Sequence, residues 1–362
     1  MAAGSLARQA RRAVVGLETA VERGFASALS RAGWRPQVVP FPGYGREDAA
    51  DEGWVRVLAR VLMLPPERRA GDHEGGRGWR RFFTVAVPDA DLEIRAGHRV
   101  HQATSERGGF VDVVVGADLP SGWQEVRLTV AGGDPAVERV RVVGSDERLG
   151  VVSDIDDTVM VTALPRPLLA AWNTFVRHET KRRPVPGMAE LYERLRSADH
   201  DAPFVYLSTG PWNLAPALVS FLRRHGFPIG PLLMTDWGPT PDRWFRSGRE
   251  HKRTSLRRLL REFPGVSWVL VGDDGQHDPQ IYDELVREAP EGVRLVAIRR
   301  LTATEQVLTH GSPLPPDADV LAPEPVTAAG GVPWLQASDG FGLAQLLGAV
   351  PGTRRDRRTR SR

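Results

Sequence analysis

One short stretch, GVVSDIDDTV at residues 150–159, decides the fold of the C-terminal part of this 362-residue chain. An apolar run typical of a buried parallel strand leads there directly into three aspartates and a threonine. Similar apolar runs occupy residues 204–207, 266–271 and 293–298, and a weaker one occupies residues 229–234. These runs predict the strands of one parallel sheet.

Helical stretches separate the predicted strands. They cover residues 188–195, 214–225, 254–263 and 279–288. Strands that alternate with helices indicate an α/β fold, here a doubly wound parallel sheet. In such a sheet ligands bind beyond the carboxyl ends of the strands, so the polar residues that follow each strand are the candidate site.

The preceding part of the chain has a different periodicity. Between residues 36 and 143, short runs rich in β-branched and aromatic residues alternate with Gly, Pro and Asp. The predicted strands are residues 54–64, 81–87, 91–98, 109–115 and 123–130. Regular spacing of this kind is typical of a β-sandwich or a barrel, and we predict a β-rich, sandwich-like domain. It contains no recognisable catalytic set, so we expect a binding or scaffolding role.

These patterns predict five regions. They are an N-terminal amphipathic helix (1–33), the β-rich accessory domain (34–147), a catalytic domain (148–311), a Pro-rich segment with a C-terminal helix (312–350) and an arginine-rich tail (351–362). The helix within residues 6–29 would either pack on the protein or lie in a membrane interface. The tail would be a solvated end or a tether to anionic lipid or another polyanion.

Composition narrows the setting of the protein. The chain has no cysteine, which excludes disulfides, thiolate metal sites and a cysteine nucleophile. Its last ten residues contain six arginines and one aspartate, whereas the net charge of the whole chain is only +3. The rest of the chain is therefore slightly acidic, and we expect no specific nucleic-acid partner. No apolar stretch reaches the roughly 20 residues of a membrane span. We predict a cytoplasmic location, with peripheral contact at the inner membrane face left open.

The polar residues after three strands predict a metal-assisted site. The first strand is followed by Asp154, Asp156 and Thr158, and the strand at residues 204–207 by Ser208-Thr209-Gly210. The strand at residues 266–271 is followed by GDDGQHD at residues 272–278. Clustered carboxylates need a compensating cation, and oxygen ligands without cysteine favour Mg²⁺. A metal beside hydroxyl and lysine donors suits phosphoryl transfer.

The aspartates could also have a structural role or form a calcium loop. The residues 154–157 could simply cap a turn before a helix. A calcium loop is excluded, because a loop counted from Asp154 has Val159 and Pro165 where glycine and glutamate are required, and one counted from Asp273 has Asp278 in the glycine position.

The motifs in this order resemble the haloacid dehalogenase superfamily. Asp154-x-Asp156-x-Thr158 is similar to its first motif, Ser208 to its second, Lys252 to its third, and Asp273 with Asp278 to its fourth, over about 125 residues. The stretches YLSTGPWNL (206–214) and GDDGQHDPQIY (272–282) resemble the catalytic-domain family of the actin-patch-type phosphatidate phosphatases. That family also places a β-rich segment before its catalytic domain.

The resemblance implies a mechanism and a set of site residues. Asp154 would attack phosphorus to form an aspartyl-phosphate, and Asp156, oriented by Thr158, would serve as general acid and base. Ser208 and Lys252 would bind the phosphoryl group, together with Thr209 and Gly210. Mg²⁺ would be held by Asp154, the backbone carbonyl of Asp156 and Asp273, with Asp278 as a supporting carboxylate.

The spacing of the motifs leaves room only for a minimal cap between Thr158 and Ser208. An open site of this kind fits a large or surface-bound phosphorylated substrate, and the resemblance favours phosphatidate at a membrane. The predicted reaction is hydrolysis to diacylglycerol and phosphate. Two alternatives stay open: a phosphatase of protein or nucleic-acid phosphomonoesters, and an adaptor whose β-rich domain determines its biology. Dehalogenation is disfavoured, because a halide leaves without the acid at Asp156.

Overall fold

The change in periodicity along the chain coincides with a division into two compact units, residues 1–144 and 145–362. The computed structural model describes residues 24, 28–47, 52–65, 85–161, 182–198, 202–235, 241–275, 277–302, 305, 326–327 and 331–349. The predicted arginine tail, most of the N-terminal helix and most of the Pro-rich segment lie outside these residues. The limits of the five predicted regions stay predictions.

The first unit consists of β-strands. They are β1 (Arg35–Arg46), β2 (Trp54–Leu64), β3 (Val85–Ala86), β4 (Asp91–Ala96), β5 (Arg99–Thr104), β6 (Phe110–Gly116), β7 (Gly122–Val130) and β8 (Ala136–Val143), with a 3₁₀ turn at Arg107–Gly109. Their order is β3-β2-β1-β8-β7-β4-β5, and β6 also pairs with β2. Only β1 and β8 are parallel among the pairs described, so the sheet is mixed.

This sheet curls on itself. Strand β2 pairs along one edge with β1 and along the other with β6 and β3. The imidazole Nε2 of His101, on β5 at the far end, lies 2.7 Å from the carbonyl oxygen of Gly116 at the end of β6. The two ends of the sheet therefore approach each other and enclose a core of valine, leucine, isoleucine and alanine side chains.

Strand β1 was not predicted, because its sequence contains three prolines, and proline cannot donate to a sheet ladder. The structure accommodates them because β8 pairs with β1 only at residues 43–46, which leaves the proline-containing part with a single partner, β2. A register shift between Phe41 and Tyr44 takes up Pro42 and Gly43. Strands β5 and β8 were also missed, whereas β2 has the predicted limits.

The second unit is an α/β structure. Its strands are β9 (Leu149–Asp154), β10 (Phe204–Pro211), β11 (Leu232–Thr235), β12 (Ser267–Asp273), β13 (Val293–Arg299), β14 (Val326–Thr327) and β15 (Pro333–Ala337). Its helices are α1 (Met188–Ala198), α2 (Ala215–Arg224), α3 (Pro241–Glu262), α4 (Asp278–Glu288) and α5 (Gly340–Leu347), with 3₁₀ turns at Trp212–Leu214 and Pro290–Gly292. All five predicted strands of this unit are present.

The strand order of the second unit is β11-β10-β9-β12-β13-β15-β14. The chain steps outward from β9 to β11, and then returns to the other side of β9 and steps outward again. All described pairs are parallel except β14 with β15. The carboxyl ends of β9, β10 and β12 therefore meet at one edge, on both sides of the point where the order reverses, where open α/β sheets bind ligands.

The C-terminal end of the described chain extends this sheet. We predicted only a Pro-rich segment and a helix for residues 312–350, but two strands lie there: β15, which pairs with β13, and the short β14, which pairs with β15. Helix α5 follows close to its predicted position and packs near α1, since Gly340 N donates to the Pro186 carbonyl at 2.9 Å. Among the described residues, no helix combines the length and apolar character needed to cross a membrane.

Candidate active site

Asp154 ends β9 and forms an ion pair with a lysine from α3. Both side chains are almost completely buried, with 1% of Asp154 and 2% of Lys252 exposed. Lys252 Nζ lies 2.5 Å from Asp154 Oδ1. A buried lysine is rare unless its charge is balanced, so this pairing fixes both residues at the sheet edge.

Asp278, at the start of α4, provides a second partner for the lysine. Lys252 Nζ donates to Asp278 Oδ1 at 2.6 Å, and the other carboxylate oxygen accepts from the backbone N–H of Asp273 at 3.4 Å. The carboxylate packs over Gly272, where an added Cβ would lie 2.6 Å from Asp278 Oδ2. The glycine before Asp273 is therefore required for Asp278 to reach the lysine.

Asp273 ends β12 and is fully buried beside the other two carboxylates. Its Oδ1 accepts from Gly275 N at 2.7 Å, and its Oδ2 accepts from Thr158 Oγ1 at 3.5 Å. Thr158, which we predicted to orient Asp156, thus contacts Asp273 in the structure, and its role toward Asp156 stays a prediction.

The loop at residues 155–160 carries the remaining first-motif residues. Asp157 has a φ of 58°, in the left-handed region, and its N–H donates to the Met160 carbonyl at 2.8 Å. Val159 and Val161 then exchange backbone hydrogen bonds with Val185 and Arg183, which anchors the far end of the turn. The loop is a tight turn that starts directly after Asp154, and the backbone N–H groups of residues 157–160 donate to carbonyls within it.

Asp156 faces the end of β10. Ser208 Oγ donates to Asp156 Oδ2 at 3.3 Å and accepts from Gly210 N at 3.0 Å. Thr235, at the end of β11, donates to the carbonyls of Thr209 and Gly210 at 2.8 and 3.2 Å. The structure therefore brings Ser208, Thr209 and Gly210 to the same edge as Asp156, and Thr235 holds their backbone in place.

The site contains more carboxylates than the charge of Lys252 alone can neutralise. Burial raises the pKa of Asp154 and of Asp273 well above the usual range, and neighbouring carboxylates raise each further, against the opposing effect of Lys252. Burial also raises the pKa of Asp156, and Asp157 adds to the effect. Burial alone would lower the pKa of Lys252, but the surrounding carboxylates outweigh it and the pKa is raised.

Asp154, Asp273 and Asp278, here called the acidic trio, fit a divalent cation. Each offers a carboxylate oxygen, and these three oxygens lie within 4.8 Å of one another. Asp154 Oδ2 is buried without a hydrogen-bond partner among the described residues, as expected for an oxygen that coordinates a metal ion. Hard oxygen donors of this kind suit Mg²⁺. The Asp156 carboxylate is not in the trio, and its backbone carbonyl as a ligand stays a prediction.

Sequence reasoning missed several supporting residues. Ser153 Oγ donates to the Asp154 carbonyl at 2.6 Å and lies 2.5 Å from Tyr192 Oη on α1. Thr235 and Arg299 each end a strand at this edge, as Asp154 and Asp273 do, so their positions after apolar runs could have identified them. Tyr192 gave no such signal, because it lies on a helix face among core residues.

Comparison with known proteins supports the resemblance found in the sequence. Residues 149–300 match the family model of the catalytic domain of phosphatidate phosphatase APP1. The resemblance predicted from the motifs is therefore confirmed over these residues.

Two curated relatives match the same part of the chain. Phosphatidate phosphatase APP1 of Saccharomyces cerevisiae is 26% identical over 152 residues, which is 42% of this chain and 26% of the yeast protein. An uncharacterised protein of Schizosaccharomyces pombe is also 26% identical over 152 residues, 25% of its length. The chain thus spans about a quarter of the length of these relatives.

Several solved structures superpose only weakly on this chain. A carbohydrate acetylesterase from Xanthomonas citri is 11% identical and superposes with a TM-score of 0.23, covering 73% of this chain and 70% of the esterase. A superposition at this level does not show a shared fold.

Proposed function

We propose that this protein is a Mg²⁺-dependent phosphomonoester hydrolase that works through an aspartyl-phosphate on Asp154. One observation carries the proposal: a buried lysine bridges Asp154 and Asp278 within the acidic trio, at the edge of a parallel sheet whose residues match a phosphatase catalytic domain. We assign the second unit to the doubly wound, haloacid dehalogenase-like folds with a minimal cap, and the first unit to the β-sandwich-like domains.

In the first step, a carboxylate oxygen of Asp154 attacks phosphorus and the bond from phosphorus to the ester oxygen breaks. The leaving alkoxide takes a proton from Asp156. The raised pKa of Asp156 supports this role, because a general acid must hold a proton near neutral pH. The products of the step are the free alcohol and the phosphorylated aspartate.

In the second step, Asp156, now ionised, accepts a proton from water as the water oxygen attacks phosphorus. The bond between phosphorus and Asp154 breaks, which releases inorganic phosphate and restores both aspartates. The same side chain thus gives and then recovers one proton. The Ser208 hydroxyl contacts Asp156 Oδ2 in the structure, so this carboxylate lies next to the residues proposed to bind the phosphoryl group.

The phosphoryl oxygens need donors that the described residues can supply. Lys252 has three N–H donors, of which the carboxylates of Asp154 and Asp278 take two. The remaining donor, the Ser208 hydroxyl and the backbone at Thr209 and Gly210 would bind the transferring group. Charged and oriented donors of this kind stabilise the transition state more than the ground state.

A bound Mg²⁺ would be held by Asp154, Asp273 and the backbone carbonyl of Asp156, with Asp278 as a supporting carboxylate. When present it would neutralise phosphate charge and orient the phosphoryl group for in-line attack. Its charge would also keep Asp154 ionised, and therefore nucleophilic, in spite of the burial that raises the pKa of this residue.

We propose phosphatidate, presented at a membrane surface, as the substrate, and diacylglycerol and phosphate as the products. The support is the family match, since the yeast relative is named a phosphatidate phosphatase. A cytoplasmic enzyme in peripheral contact with the membrane would meet this substrate. The N-terminal helix and the arginine tail are the segments proposed to contact anionic lipid.

The test is a substrate panel with the full chain and Mg²⁺. Phosphate release is measured from phosphatidate in mixed micelles, a phosphopeptide, a 5′-phosphorylated oligonucleotide and 4-nitrophenyl phosphate, with Asp154→Asn as the control. We expect the highest kcat/KM for phosphatidate. Preference for the peptide or the oligonucleotide would replace the lipid assignment, and release that is equal in Asp154→Asn would reject the site. If the intact chain releases nothing, the adaptor interpretation gains support.

A further inference from the structure

Arg299 ties the loop at residues 155–160 to the C-terminal end of the described chain. It is the last residue of β13, and only 3% of it is exposed. Its Nη1 donates to the Asp157 carbonyl at 2.6 Å, its Nη2 to Glu305 Oε1 at 2.6 Å, and its Nε to the Ser338 carbonyl at 3.2 Å. All three nitrogens of the guanidinium are therefore used, in three different directions.

The contact with Asp157 falls where the loop is strained. Asp157 has a φ of 58°, in the left-handed region that residues other than glycine adopt infrequently. The peptide before Asp157 is held because its N–H donates to Met160, and the peptide after it is held because its carbonyl accepts from Arg299. These two peptides connect Asp156 to Thr158, so their orientation sets both side chains.

Glu305, the acidic partner of Arg299, is itself held in place. Glu305 Oε2 accepts from the backbone N–H and the hydroxyl of Thr302 at 2.9 and 3.0 Å, while Glu305 N donates to Thr302 Oγ1 at 3.3 Å. This reciprocal pairing is a capping box. The capping box leaves Glu305 Oε1 directed at Arg299. The charge of Glu305 balances that of the buried guanidinium, whose burial without a partner would be costly in free energy.

We propose that Arg299 is a positioning residue for the proposed general acid Asp156, and that Glu305 and Ser338 complete this support. The inference rests on the proposed function for its catalytic consequence. It extends the site beyond residues 149–300, where the family match ends, because both supporting residues lie after residue 300. The C-terminal part of the chain would thus be required for the reaction as well as for the sheet.

The first test does not depend on activity. Hydrogen exchange is measured by mass spectrometry on full-length Arg299→Met, Arg299→Lys and Glu305→Gln, in the peptide that covers residues 155–161. The control is Arg257→Met, which removes an arginine that pairs with Glu288 through two hydrogen bonds of 2.7 and 2.6 Å on the surface. We expect at least about tenfold faster exchange at the Asp157 amide in Arg299→Met, a smaller increase in Glu305→Gln and none in the control.

The second test separates positioning from loss of folded protein. The rate of ester cleavage in the first turnover is measured by rapid quench, per total enzyme, for phosphatidate, whose alkoxide needs a proton to leave, and for 4-nitrophenyl phosphate, whose leaving group does not. Misplacement of Asp156 in Arg299→Met should lower this rate for phosphatidate by about tenfold or more relative to the aryl ester. Arg299→Lys should recover part of this ratio. Reduced folding would lower both values by the same factor and leave their ratio unchanged.

The outcomes distinguish this inference from the proposed function. Unchanged exchange at residues 155–161 in folded Arg299→Met would overturn the positioning role whatever the activity. An equal loss for both substrates would also overturn it. If the wild-type protein hydrolyses neither ester, the proposed function fails, while faster exchange in Arg299→Met alone would still support the structural coupling.

Discussion

Lys252 Nζ lies 2.5 Å from Asp154 Oδ1, in a site where both side chains are almost entirely excluded from solvent. The lysine comes from the middle of α3 and the aspartate from the end of the central strand β9. The pair therefore fastens the helix to the sheet edge. It also keeps a positive charge beside the proposed nucleophile throughout the reaction.

Removal of this lysine should destabilise the fold. Lys252→Met leaves the acidic trio without its internal cation, and breaking a buried pair costs about 3–5 kcal/mol. The free energy of unfolding is measured by urea titration in the presence of a chelator. Arg253→Met, which removes a partly exposed pair with Glu284, is the control and should cost less than about 1 kcal/mol. Equal losses in both variants would contradict the importance of the buried pair.

Loss of the proposed acid should depend on the leaving group. In Asp156→Asn we expect kcat for phosphatidate to fall by about 10²–10⁴, because the alkoxide leaves unprotonated. The loss for 4-nitrophenyl phosphate in the first turnover should be far smaller. Rapid-quench kinetics would show a burst of nitrophenolate followed by slow turnover. Uniform losses for both substrates without a burst would argue against a general acid at this position.

Magnesium should stabilise the folded protein through the acidic trio. A ligand present at 100 times its Kd adds about 2.7 kcal/mol to the free energy of unfolding. We therefore expect the melting temperature to rise with Mg²⁺ and to return to its starting value with EDTA. Asp273→Asn should lose most of this rise, whereas Asp283→Asn, on the exposed part of α4, should retain it. A rise that is the same in Asp273→Asn would place the ion elsewhere.

The glycine under Asp278 should tolerate no side chain. In Gly272→Ala the new Cβ would lie 2.6 Å from Asp278 Oδ2 and 2.8 Å from its Cβ, so the carboxylate must leave Lys252. Overpacking of this kind costs about 1–3 kcal/mol, which urea titration detects. Gly265→Ala is the control, because its Cβ would meet only the flexible end of Arg148 at 3.1 Å. Equal stability of the two variants would show that Asp278 can move freely.

The sheet of the second unit was predictable because parallel strands buried on both faces form continuous apolar runs in the sequence. The order of the strands then brings their ends together, which is why Asp154, Ser208 and Asp273 could be predicted as neighbours. Strand β1 could not be predicted in the same way, because its prolines are tolerated only where one partner is missing. That condition belongs to the tertiary structure.

The supporting contacts of the site were harder to predict than its charged residues. Thr158 contacts Asp273, which is 115 positions away, and Arg299 contacts Asp157, which is 142 positions away. No local periodicity encodes such contacts. A resemblance to a family supplies the residues of its motifs, but Arg299, Glu305 and Tyr192 lie outside the motifs and only the packed structure shows what they hold.

The most direct test of the central claim is to trap the phosphorylated enzyme. Asp156→Asn is mixed with 4-nitrophenyl phosphate and Mg²⁺, quenched in acid, reduced with borohydride and analysed by peptide mass spectrometry. We predict reduction of a single aspartyl-phosphate to homoserine at position 154, and none when Asp154→Asn is combined with this variant. Turnover with no modified residue, or with the modification at another position, would contradict Asp154 as the nucleophile.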